Sequence, residues 1–137
     1  MSDGAVTFDA DVLVAEAIEQ TGFDDFGEMP YREGLEALLE TYDRHIRDPQ
    51  GRQRCRERVV YQLATRLKCE NAIRTIPAVA KQQIAAPVFV TGLPRSGTSA
   101  LLNLLATAPE NRAILQWEVQ FPDPWPDSQP GEEDPRY

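Results

Sequence analysis

Histidine is almost missing from this 137-residue chain, which carries one, His45, and cysteine is scarce, with two. A lone imidazole with no carboxylate or nucleophile at a suggestive spacing gives no basis for a His-centred acid–base pair or metal cage. His45 therefore reads as a surface residue. Cys55 and Cys69 fall in one predicted helix, where a rise of ~1.5 Å per residue sets them ~21 Å apart, beyond disulfide reach. Neither has a second thiol or imidazole at metal-ligand spacing, so two idle thiols in a reducing compartment and no metal site are expected.

Long apolar runs are also missing, since none approaches the ~18 residues of a membrane span. The N-terminus, "MSDGAVTFDADVLVAEA", places acids where a signal peptide would place lysines, and the reading is a cytoplasmic protein. Positive charge is in deficit. Fourteen Lys and Arg face 22 Asp and Glu, for a net charge of −8, which argues against a nucleic-acid partner. What remains is an ordinary globular composition, 42% hydrophobic and 26% charged, long enough for one domain with a real core. No internal repeat is visible.

Helical periodicity fills the first half. "DADVLVAEAIEQT" (9–21) spaces Val12, Leu13, Ala15 and Ile18 on a helix, with Asp at its start and Gly22 after its end. "GFDDFGEMP" is a connector that Phe23 and Phe26 would pin to the core. A second helix is predicted from Tyr31 to Arg47, with an apolar stripe of Leu35, Leu38, Leu39 and Tyr42, ended by Asp48, Pro49 and Gly51. A third, from Arg52 to Arg74, carries Val59, Val60, Leu63 and Leu67 on one side. Its many arginines suggest either an anion site or a solvated face answering the acidic first two helices, and the second is favoured.

The pattern changes at "PVFVTGLPRSGTSALLNLL" (87–105). "PVFVTG" is a short β-branched apolar run of the kind buried in a parallel sheet. "TSALLNLLATA" reads as a helix and "RAILQW" (112–117) as a second buried strand, which together make a βαβ unit. The expected fold is thus α/β: a helical subdomain at residues 1–84, then at 85–120 the first strand-loop-helix-strand of a P-loop-like parallel sheet. A Pro-rich acidic extended tail follows at 121–137. Two parallel strands leave edges unpaired, so the sheet looks incomplete, and its exposed edge is expected to make the chain associate with itself.

Between strand and helix lies "GLPRSGTS". Glycines at 92 and 97 let backbone come close to a ligand, Thr98 and Ser99 put hydroxyls in the first helical turn, and Arg95 adds a forked cation suited to phosphate or sulfate. Aligned with the nucleoside-triphosphate loop G-x-x-x-x-G-K-[ST], the sequence has Thr98 where lysine is required and its basic residue three positions earlier. A plain ATPase or kinase is disfavoured.

The shifted pattern resembles the 5′-phosphosulfate loop of sulfotransferases that use 3′-phosphoadenosine-5′-phosphosulfate, and looks most like the tyrosylprotein-type and bacterial members. "ATAPENRAILQWEVQFPDP" and "EQTGFDDFGEMPYREGLEALL" are similar to a bacterial group of the same enzymes. The resemblance implies that Arg95, Ser96, Gly97, Thr98 and Ser99 bind the donor, and that Arg95 stabilises charge on the bridging oxygen. It also implies that Glu118, at the end of the second predicted strand, is the catalytic base that deprotonates a small-molecule or peptide hydroxyl acceptor. The family's second motif, which holds the 3′-phosphate, has no match after Arg112. The chain accordingly reads as the N-terminal portion of a sulfotransferase or a shortened gene product, expected to be inactive alone. The alternatives are a non-catalytic helical module with a vestigial phosphate loop and, behind it, a degenerate nucleotide kinase.

Overall fold

Asp9 starts the first helix. Its carboxylate accepts from the amides of Asp11 and Val12 at 2.9 and 3.1 Å, filling donors that a helix start leaves open. This helix, α1 (Ala10–Thr21), stops at Gly22, whose left-handed backbone (φ 71°) lets its N–H donate to the Ile18 carbonyl at 2.7 Å. After the connector come α2 (Arg32–His45) and the long α3 (Pro49–Thr75). Asp48 caps α3 by accepting from the Gly51 amide at 2.6 Å, and Pro49 follows at the first helical position. A single turn, α4 (Pro77–Ala80), ends this part.

The computed structural model describes residues 6–122, and the chain divides into two units, Met1–Ala80 and Lys81–Tyr137. The first unit has a dry core. Leu13 and Ala17 of α1, Leu35 and Leu39 of α2, and Val59, Val60, Leu63, Ala64 and Leu67 of α3 are buried together with Phe26 of the connector. The α1 stripe differs from the predicted one: Val12 is 49% exposed and Ala15 faces solvent. Packing against α3 selects the face through Leu13 and Ala17, four residues apart, with Val14 and Ile18 on its margins.

Four arginines of α3 are structural. Arg56 pairs with Glu16 of α1, Arg52 with Asp43 of α2 at 2.7 Å, and Arg74 with Asp25 of the connector at 3.2 Å. Arg52 also lies 4.5 Å from the centre of the Phe8 ring and donates to the Val6 and Ile46 carbonyls. Arg66 stacks over Tyr31 at 4.9 Å and donates to the carbonyls of Phe26 and Met29. One side chain thus ties the connector to α3. These contacts support the solvated-face reading over an anion site on this helix.

The second unit contains α5 (Thr98–Leu105) and α6 (Gln116–Gln120), and it corrects the α/β expectation. Among the described residues there is no strand, and hence no parallel sheet. Val88 and Phe89, predicted to be buried on both faces, are 73% and 83% exposed. Residues 112–115 run without regular structure into α6 rather than forming a second strand. Strand propensity is context: a β-branched run becomes a strand only when a neighbour accepts its amides. No backbone hydrogen bond joins residues 88–91 to residues 112–115. Among the described residues, the sheet edge expected to drive self-association is absent with the sheet. Of the predicted tail, residues 123–137 lie outside the described residues.

Candidate functional site

The loop from Gly92 to Gly97 is built on a tight turn. The Ser96 amide donates to the Leu93 carbonyl at 3.1 Å, with Pro94 and Arg95 as the two central residues. Proline presets the first central angle, and Arg95 takes the second with φ 66°, as a type II turn requires. Glycine or asparagine is the low-cost choice there, because left-handed backbone disfavours any residue with a larger side chain. Arg95 holds the position while exposed to solvent, with no acid or ring partner among the described residues.

Gly97 then turns the chain into α5. Its φ of 91° and ψ of 12° place it in the left-handed region, and its carbonyl accepts from the Leu101 amide at 3.0 Å. No side chain caps this helix. The amides of its first turn therefore point outward without an internal acceptor, at the positive end of the helix dipole. Thr98 and Ser99 add their hydroxyls in the same turn. Arg95, Ser96, Gly97, Thr98 and Ser99 thus follow one another on one turn and one helix start, and turns leading into a helix start are a general type of anion site.

Glu118 is placed differently from its predicted position at a strand end. It lies in the first turn of α6, where one carboxylate oxygen accepts from the Leu115 amide at 2.7 Å and the other is held by Arg112. Both oxygens are engaged, and the side chain is 22% exposed. Sequence reasoning missed Arg112 as its partner, although a cation six residues before an acid was visible. It also missed Pro94–Arg95 as the centre of a turn, a pairing that "LPRS" displays openly. His45 is exposed, and neither Cys55 nor Cys69 is in a disulfide. Among the described residues no three His, Cys, Asp or Glu side chains are grouped to hold a metal ion.

The helical unit has a cleft of about 390 Å³ between α1 and α2. Asp9, Asp11, Glu36, Glu40 and Asp43 line it beside Arg32, so its sign is wrong for an anionic donor. No described helix is long and apolar enough to cross a membrane.

No protein-family model matches the chain, and no curated protein matches its sequence. A solved structure does: the crystal structure of sulfotransferase STF1 from Mycobacterium tuberculosis H37Rv is 34% identical, with a TM-score of 0.76 over 89% of this chain. This chain is a relative of the sulfotransferases. The helical unit makes up 80 of the 137 residues, so a match over 89% of the chain also takes in most of the second unit. The same match covers 34% of the length of the solved sulfotransferase chain.

Proposed function

We propose that the loop binds the 5′-phosphosulfate end of 3′-phosphoadenosine-5′-phosphosulfate, and that the chain supplies this half of the donor site to a sulfuryl transfer onto an acceptor hydroxyl. The observation that carries the proposal is Arg95. The turn accounts for its left-handed backbone, and a guanidinium held there without an acidic partner among the described residues is available to an anionic ligand. The sulfotransferase relationship supports the choice of ligand.

The donor fits the residues present. Arg95 offers two parallel N–H donors to sulfate or phosphate oxygens, and the first-turn amides of α5 with the Thr98 and Ser99 hydroxyls offer the rest. When bound, the donor supplies an activated sulfuryl group. Arg95 would hold the phosphosulfate and stabilise the negative charge left on the phosphate side when the sulfuryl group is transferred. A single donor in such a role contributes about 3 kcal/mol to catalysis. Glu118 has the weaker case. To take the acceptor's proton it must exchange Arg112 or the Leu115 amide for a hydroxyl, so the base assignment stands or falls on Glu118→Gln in an active protein.

One observation favours the second reading, a helical module that does not catalyse: every described buried residue belongs to the first unit. In-line positioning of donor and acceptor contributes ~7–11 kcal/mol to a transfer, and a site without buried residues around it gives that positioning little support. The 137-residue chain is expected to bind donor without turning over phenols or alcohols.

Titration with adenosine 3′,5′-bisphosphate separates the readings through Arg95→Gly. Glycine relieves the left-handed angle and is expected to raise stability by roughly 0.5–1 kcal/mol. It also removes a charge-assisted contact, which lowers affinity by roughly tenfold to a hundredfold. Equal affinity in Arg95→Gly and parent would refute the assignment of the loop as the anion site.

A further inference from the structure

The sequence suggests one job for both loop glycines, to let backbone approach an anion. The structure gives them two different jobs. Gly97 needs its angle: φ is 91°, and a Cβ built there meets nothing within 4 Å. Gly92 is the reverse. Its φ lies outside the left-handed region, so any residue can adopt its backbone, but a Cβ there would fall 2.6 Å from the Ser96 hydroxyl oxygen and 3.0 Å from the Thr98 methyl carbon.

We infer that Gly92 is a positioning residue: the space left by its missing side chain seats the Ser96 hydroxyl and holds that donor in the loop before an anion arrives. The Ser96 β-carbon itself would be 3.8 Å from the added Cβ, an ordinary contact. The hydroxyl collides outright and can swing away about one bond, while the Thr98 methyl, at 3.0 Å, has to give by a few tenths of an ångström. A methyl at position 92 therefore leaves the fold intact and displaces the donor. The anion-binding consequence rests on the proposed function, whereas the seating of Ser96 does not.

Two measurements on the 137-residue chain test this. The first is the Ser96 side-chain rotamer, read from its Hα–Hβ couplings without ligand in parent and in Gly92→Ala. The expected result is a changed rotamer with an unchanged melting midpoint; an unchanged rotamer overturns the inference. The second is affinity for adenosine 3′,5′-bisphosphate in a cycle of Gly92→Ala and Ser96→Gly. Gly92→Ala should weaken binding about tenfold when Ser96 is present and less than about twofold when residue 96 is glycine, since coupling of this size marks residues in contact. An equal loss in both backgrounds overturns the role of the Ser96 hydroxyl and assigns Gly92 a general structural one. Should Gly92→Ala not fold, recovery of folding in the double variant supports the same steric pairing, and failure to recover contradicts it. Absence of binding in the parent chain removes the anion-loop reading, while the rotamer still decides whether Gly92 seats Ser96.

Discussion

The arginines that cross between segments of the helical unit contrast with the one at the centre of the loop turn. In the helical unit, Arg52, Arg56, Arg66 and Arg74 reach across to acids, carbonyls or rings of other segments. In the loop unit, Arg95 occupies an unfavourable backbone angle and touches no acid among the described residues. Arg112 in the same unit is engaged by Glu118. A paired arginine helps hold the chain together, and an unpaired one in strained backbone is available to a ligand. Burial follows the same division, with ten buried apolar residues in the first unit and none among the described residues of the second.

Amide exchange tests this division most severely. Amides of α3 around Val60–Leu67 should exchange slower by several orders of magnitude than those of residues 88–91, because protection scales with the local opening free energy. Comparable protection in both regions would mean that residues 88–91 have partners the described structure does not show.

Leu67→Ala should have the next largest effect. Leu67 is fully buried in the core, and the loss of its side chain should cost about 2–5 kcal/mol in urea unfolding followed by helical signal. Binding of adenosine 3′,5′-bisphosphate should change little where the chain remains folded. A large loss of affinity in folded protein would tie the loop to the helical core.

Arg66→Met keeps much of the stem and removes the donors to Phe26 and Met29. About 1–2 kcal/mol of stability should be lost, with faster exchange in the 22–30 connector. An unchanged connector would show that Phe26 and Tyr31, stacked 4.6 Å apart, hold it without help.

The smallest effect is expected at Glu118→Gln. The Arg112 partner is 73% exposed, and exposed pairs contribute about 1 kcal/mol or less. The side-chain carbonyl of the substituted residue can still accept from the Leu115 amide. Stability should stay near that of the parent. In a longer protein with measurable sulfuryl transfer, retention of turnover would make Glu118 a capping residue, and loss of turnover with intact α6 would make it the base.

The positions of α1, α2 and α3 were legible in the sequence, as were the α3 stripe of Val59, Val60, Leu63 and Leu67 and the stop at Gly22. The loop was legible too, because Gly, Arg and hydroxyl residues are crowded into "GLPRSGTS". These features depend on neighbours within a few positions, where backbone angles, caps and 3.6-residue spacing act. The predicted strands failed because "PVFV" and "AIL" record only a preference for extended backbone, while a strand also needs a ladder partner that local sequence cannot supply. Glu118 was misplaced for the same reason, having been read from a strand end that did not form.

By itself the sequence determined the helical lead-in, the acidic balance and the donor-rich loop, all consequences of local chemistry. Tertiary structure decided which α1 face is buried, that Arg52, Arg56 and Arg74 of α3 bind the chain's own acids, and that Glu118 caps α6 beside Arg112. It also decided that Gly92 leaves room for Ser96 while Gly97 provides an angle. Each of those outcomes depends on which atoms meet across a turn or between helices, a matter of distance in space that residue order does not record.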